Sequence, residues 1–135
     1  MKEPLIYLVD DDLISKFQIE IMILQSERAC KIVSFGDTLA AMRMLDSNFG
    51  YEQGLPDIII ANFDLPGMDG ISFLKALEDN DLIAKKTALY IFSDFRISGE
   101  RKSDEGLPQI KGFFVRPPTR EDIRKIFEDF NRLHP

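Results

Sequence analysis

The sequence predicts an α/β protein with a parallel, doubly wound sheet, and three observations carry that expectation. Five apolar runs of strand length recur, at Leu5 to Val9, Ile32 to Phe35, Ile58 to Ala61, Ala88 to Phe92 and Phe113 to Val115. They are continuous rather than alternating, as strands covered on both faces must be. Stretches with a helical period separate them, so strand and helix alternate in the order that crossover connections need.

The helical stretches can be taken in turn. In Leu13 to Ser26, the residues Leu13, Phe17, Ile21 and Leu24 share one stripe, with Asp12 as N-cap. Asp37 caps a second segment whose inward residues are Leu39, Met42 and Leu45. Ile71, Leu74 and Leu77 repeat the period after Asp69 and Gly70, where Asp69 caps and Gly70 permits close packing. The last helix places Ile123, Ile126, Phe127, Phe130 and Leu133 on one face. It follows Pro117-Pro118 and opens on Thr119, with Asp122 three residues on. Between the fourth and fifth strands, Asp94 to Lys111 ("DFRISGERKSDEGLPQIK") offers only Phe95, Ile97, Leu107 and Ile110 as apolar anchors. A short or irregular, mobile helix is expected there.

At 135 residues with 44% hydrophobic content, one domain over residues 1–135 is expected, with no output domain. A net charge of -6 has the wrong sign for gripping a phosphate backbone, so nucleic-acid binding is not expected. No run reaches the ~18 apolar residues of a membrane span, and the N-terminus meets acids too early for a signal-peptide core. A soluble, cytoplasmic protein follows. The single cysteine, Cys30, reads as a small buried hydrophobe. His134 reads as a solvated tail residue, and no zinc spacing, phosphate loop or catalytic triad is present.

In a doubly wound sheet, ligands bind outside the carboxyl ends of the strands. The residues where the runs stop are Asp10-Asp11-Asp12, Asn62, Ser93-Asp94 and Arg116-Pro117, and these should converge in one cleft.

Four stretches, "LIYLVDDD", "PDIIIANFDLPGMDG", "ALYIFSD" and "GFFVRPP", stand in the order and at the spacing of response-regulator receiver domains. The chain resembles that family of two-component signalling over nearly its whole length. The resemblance implies a flavodoxin-like, three-layer fold with strand order 2-1-3-4-5. By position it implies that Asp10 and Asp11 are the acidic pair that holds Mg²⁺, Ser93 the switch hydroxyl and Phe113 the switch aromatic.

Two further positions depart from the family. The phosphoacceptor aspartate falls on Asn62 and the lysine on Arg116. A carboxamide has no charge and is a poor nucleophile, so the acyl-phosphate route is closed. Arg116 keeps the cation, but its planar fork prefers a carboxylate, and a bridge to Asp10 or Asp11 is expected. Asp94 stands where the family has a small residue, and its charge would repel a phosphoryl group and block the pocket.

The expectation is a degenerate receiver, not an enzyme, that acts by protein contact without phosphorylation. It needs no cofactor and holds Mg²⁺ weakly at best. Its partner, a histidine kinase or a downstream signalling protein, is expected on the face made by residues 94–135, and a homodimer is compatible with this reading. Two alternatives are an active phosphoacceptor using Asp64 or Asp11 with Mg²⁺, and a small-molecule-sensing pseudo-receiver. Asp64 otherwise reads as an exposed turn carboxylate whose backbone carbonyl faces the metal position.

Overall fold

A computed structural model describes residues 3–47, 54–95 and 110–134. The strands are β1 (Leu5–Val9), β2 (Lys31–Phe35), β3 (Ile58–Asn62), β4 (Ala88–Ser93) and β5 (Ile110–Val115). All pair in parallel, in the order β2-β1-β3-β4-β5. The helices among the described residues are α1 (Leu13–Gln25), α2 (Thr38–Ser47), α3 (Gly70–Glu78), α4 (Asp81–Lys86) and α5 (Arg120–Leu133).

The sheet divides the core in two. On one face Tyr7, Val9, Ile59, Ala61, Leu89 and Ile91 pack under α2, α3 and α4. On the other, Ile6, Leu8, Ile58, Ile60, Tyr90 and Phe92 pack under α1 and α5. β3 and β4 are buried along their whole lengths, which is why their sequences run apolar without alternation. α5 is tied to the sheet by more than apolar contact. The Tyr90 hydroxyl donates to Asp129 Oδ2 at 2.7 Å, and Lys125 Nζ reaches the same oxygen at 2.9 Å. Burial and that carboxylate push the Tyr90 phenol up, so it stays a donor at neutral pH.

Five local expectations need revision. β5 starts at Ile110, three residues before the expected start, because Gly112 interrupts the apolar run without interrupting the strand. A Cβ at Gly112 would lie 2.9 Å from the Phe114 ring and 3.1 Å from Tyr90, so the glycine makes room for stacked aromatics. Between β3 and β4 the chain forms two helices rather than one, since Asn80 accepts from the Leu82 and Ile83 amides and starts α4. Leu39 and Leu133 are exposed; in α2 Leu45 is buried as expected, and Ala41 rather than Leu39 is buried beside it. Cys30 is half-buried at the edge of the core, and burial raises its thiol pKa.

The fifth revision concerns α1. The stripe Leu13, Phe17, Ile21 and Leu24 does not face the sheet: Leu13, Phe17 and Leu24 are exposed, and the buried line is Ser15, Ile19 and Ile23. With apolar residues on nearly all sides, the helix gives periodicity no preferred face. Its rotation is set by Asp12, which accepts from the Ile14 and Ser15 amides, and by the polar contact of Ser15 described below. The expected helix in Asp94 to Lys111 lies, for residues 96–109, outside the described residues. The capping box of α5 forms as expected: Asp122 N donates to Thr119 Oγ1 at 3.1 Å, and Thr119 N donates to Asp122 Oδ2 at 2.9 Å.

The end of β3 is held by close backbone packing. Gly70 N donates to the Phe63 carbonyl at 2.8 Å, and a Cβ at Gly70 would lie 2.3 Å from the Asn62 carbonyl oxygen. Gly70→Ala should therefore force α3 away from β3 and cost about 2 kcal/mol or more. Gly36→Ala, where nothing lies within 4 Å, should be close to neutral. Urea unfolding of the two variants checks this; equal midpoints would contradict the close approach.

Candidate functional site

Backbone hydrogen bonds carry the sheet one step past its strands and bring the site together. Asp10 N donates to the Phe35 carbonyl at 3.0 Å, Phe63 N to Phe92 at 2.7 Å, and Arg116 N to Ser93 at 2.8 Å. Asp10, Asn62, Ser93 and Arg116 therefore stand side by side at the carboxyl edge, as the strand ends predicted. Asp10, Asn62 and Ser93 are buried, with 1%, 6% and 2% exposure.

Asn62 is the centre of the arrangement. Its Nδ2 lies 3.3 Å from Asp10 Oδ1, 3.3 Å from Asp11 Oδ1 and 2.8 Å from the Asp64 carbonyl oxygen. Its Oδ1 accepts from Arg116, from Nη1 at 3.1 Å and also from Nη2. The amide orientation is unambiguous. Reversing it would set an oxygen against two carboxylates and an NH₂ against a guanidinium. A side chain with a donor and an acceptor end matches an acidic cradle on one side and a cation on the other, whereas a carboxylate would match only the cation.

The Arg116-Pro117 peptide bond is cis, and the Arg116 side chain enters the cleft. The expected bridge to Asp10 or Asp11 is not formed. Its guanidinium is spent on Asn62 Oδ1, on Ser15 Oγ, which accepts from Nε at 2.9 Å, and on Asp94 Oδ1 at 3.5 Å. The physical reason is placement: the Asn62 carboxamide lies between the cation and the acidic pair and relays the attraction. Asp94 itself is 79% exposed, so its ion pair with Arg116 closes the rim of the cleft rather than its floor and contributes little on its own.

Asp10 is the most deeply buried carboxylate of the site. Oδ1 accepts from the Asp12 amide at 2.9 Å, while Oδ2 is buried without a hydrogen-bond partner. Burial raises its pKa above the usual carboxylate value, against the lowering influence of the Ser15 hydroxyl, the Asp12 amide and Arg116.

As arranged, these residues do not fit the Mg²⁺ that the sequence resemblance implies. Asp10 Oδ1, Asp11 Oδ1 and the Asp64 carbonyl are the oxygens that would converge on a hard cation. All three instead surround the Asn62 nitrogen, which donates to them. Among the described residues, no group of three or more His, Cys, Asp or Glu is arranged to hold a metal.

The Asp11 and Asp64 side chains are exposed, and only the backbone carbonyl of Asp64 enters the cleft. The Ser93 hydroxyl donates to the Phe95 carbonyl, away from Asn62. Phe113 is half-buried against the core beneath β5. Ser15 is the site residue that sequence reasoning missed. A signal existed: it is a small polar residue in line with Ile19 and Ile23, but only once the phase of α1 is known.

No protein-family model matches the chain, and no curated protein matches it in sequence. Solved structures do match it in shape. A two-component response regulator from Cytophaga hutchinsonii superposes with a TM-score of 0.85 at 18% identity, over 97% of this chain and 99% of that one. A two-component response regulator from Legionella pneumophila gives 0.78 at 23% identity, over 97% and 99%. The chemotaxis response regulator CheY4 of Vibrio cholerae gives 0.71 at 21%, over 96% and 99%. The chain thus has the flavodoxin-like fold of response-regulator receiver domains from end to end. Among the described residues, no helix is long and apolar enough to cross a membrane.

The Asp10 environment sets a pH dependence. A carboxyl whose folded pKa is raised contributes stability that is present below its unfolded value and lost as pH rises through the folded one. Asp10→Asn removes that loss and keeps an acceptor for the Asp12 and Asn62 donors. It should stabilise the protein at pH 7 by on the order of 1 kcal/mol, with the advantage shrinking toward pH 4. Thermal melts of both proteins from pH 4 to pH 8 test this; a variant less stable at pH 7 than the parent would contradict it.

Proposed function

We propose that the chain is a receiver module of two-component signalling that works through protein contact, without phosphoryl transfer at position 62 and without a required metal. The observation that carries this reading is the Asn62 carboxamide, hydrogen-bonded to the acidic pair through its nitrogen and to Arg116 through its oxygen. Phosphoryl transfer to a receiver needs a carboxylate nucleophile, a hard cation to neutralise developing charge and a free position beside the acceptor. Here the nucleophile is an amide, an N–H group stands at the cation's position, and a guanidinium covers the acceptor oxygen.

On this reading Arg116 and Asn62 together substitute for the metal and the acceptor charge. The cleft is held in one state, and the partner recognises a conformation already populated. Ser93 and Phe113 then pack as structural residues. The partner, a histidine kinase or a downstream signalling protein of the cytoplasm, meets the face that includes β5 and α5, where Val115 is exposed. Catalysis is no part of this role.

The test is incubation with Mg²⁺ and a small acyl-phosphate donor, followed by intact-mass measurement with and without hydroxylamine. The parent protein should gain no hydroxylamine-sensitive phosphoryl group. A clear gain, through Asp64, Asp11 or another acid, would overturn the proposal. Asn62→Asp alone should also label poorly. It sets a third carboxylate against Asp10 and Asp11 while Arg116 and Asp94 remain, and it should melt several degrees lower without Mg²⁺. Labelling should appear when Arg116→Lys and Asp94→Ala are added. Full labelling of the single variant would refute the roles given to Arg116 and Asp94.

A further inference from the structure

The outward face of α1 has no use in the cleft. Ile14, Phe17, Ile21 and Leu24 are spaced 3, 4 and 3 apart, so they form a continuous seam over two heptads. The seam lies opposite the buried line Ser15, Ile19 and Ile23, pointing directly away from the sheet. Ile14, Phe17 and Leu24 are 71%, 60% and 77% exposed, and Leu13 beside them is 74% exposed. Pro117 and Pro118 border the same surface, which encloses a groove of about 830 Å³.

We infer that this seam is a self-association surface, occupied by α1 of a second copy running antiparallel about a twofold axis. Two features of the seam select a second copy. The first is symmetry. A 3-4-3 spacing reads the same in both directions, so a twofold axis at the level of Ile19 sets Ile14 against Leu24 and Phe17 against Ile21 of the partner helix. Each large side chain then meets one of the other kind, as an isologous antiparallel pair requires.

The second feature is area. The four most exposed apolar side chains present on the order of 500 Å² per copy, in the upper part of the range for the largest patch on a monomer, where such patches are often functional. With Ile21 and Pro117, two copies bury roughly 1,200 Å² together, at the lower end of specific interfaces. The dimer is therefore reversible and of modest affinity. Glu20, which flanks the middle of the seam, is turned aside by accepting the Ser34 hydroxyl. A net charge of -6 on each copy opposes association, so salt should strengthen the dimer. This inference does not depend on the absence of phosphorylation.

Sedimentation velocity on the full chain from about 5 to 500 μM, at low and high salt, reads the state directly. The mass should rise with concentration from 15.5 kDa toward twice that value. Phe17→Glu should hold it at the monomer while leaving the circular-dichroism spectrum unchanged, since Phe17 is exposed in the single copy. In a Cys30→Ser background, Ile14→Cys mixed with Leu24→Cys should form a mixed disulfide in preference to either homodimer. A parent protein that stays monomeric throughout would overturn the proposal and leave the seam to a different helical partner. A dimer unaffected by Phe17→Glu, or disulfides without that preference, would overturn it equally.

Discussion

The contact on which the cleft depends is the bridge from Asp10 and Asp11 through the Asn62 carboxamide to Arg116. An acidic pair at the end of a buried strand is costly unless something positive faces it. In this chain the facing group is an amide N–H, polarised from behind by a guanidinium. The relay also explains why Arg116 does not reach the acids. With the amide between them, one neutral group serves the cation on one side and the Oδ1 atoms of the acidic pair on the other, and a direct ion pair would leave the amide oxygen unpaired in a buried place. One acidic oxygen, Asp10 Oδ2, is still left without a partner, so the neutralisation is incomplete.

The same contact reaches beyond the cleft. Arg116 Nε donates to Ser15, which lies on the inward line of α1. Together with the Asp12 cap, this fixes the rotation of a helix whose apolar residues would otherwise allow several. Once Ser15 is inward, Ile14, Phe17, Ile21 and Leu24 must be outward. A polar anchor at the site thus decides which apolar surface the molecule presents to its surroundings, linking cleft chemistry to association through a single helix phase.

Much of the fold is legible in the sequence because burial on both faces leaves a plain mark. The runs Leu5 to Val9, Ile58 to Ala61 and Ala88 to Phe92 agree with β1, β3 and β4 to within a residue. An apolar count foreshortens β5 because Lys111 and Gly112 hide its first half. The phase of α1 is not legible, because amphipathicity carries no phase when both sides are apolar. At the site, the strand-end rule found Asp10, Asn62, Ser93 and Arg116, since position along a strand is a sequence property. It could not find Ser15 or the Asp64 carbonyl, which enter through helix phase and turn geometry, and it paired Arg116 with the wrong acceptor. Charge complementarity alone favours the acids, and only the three-dimensional order shows the amide standing between.

The most direct measurement of the bridge is a double-mutant cycle on Asn62→Ala and Arg116→Ala, read by urea unfolding at pH 7. If the carboxamide and guanidinium act as one unit, the two losses will fall short of adding by about 1 kcal/mol or more. Losses that add to within ~0.3 kcal/mol would mean that Arg116 and Asn62 are merely neighbours, and the account of the cleft built on their contact would be wrong.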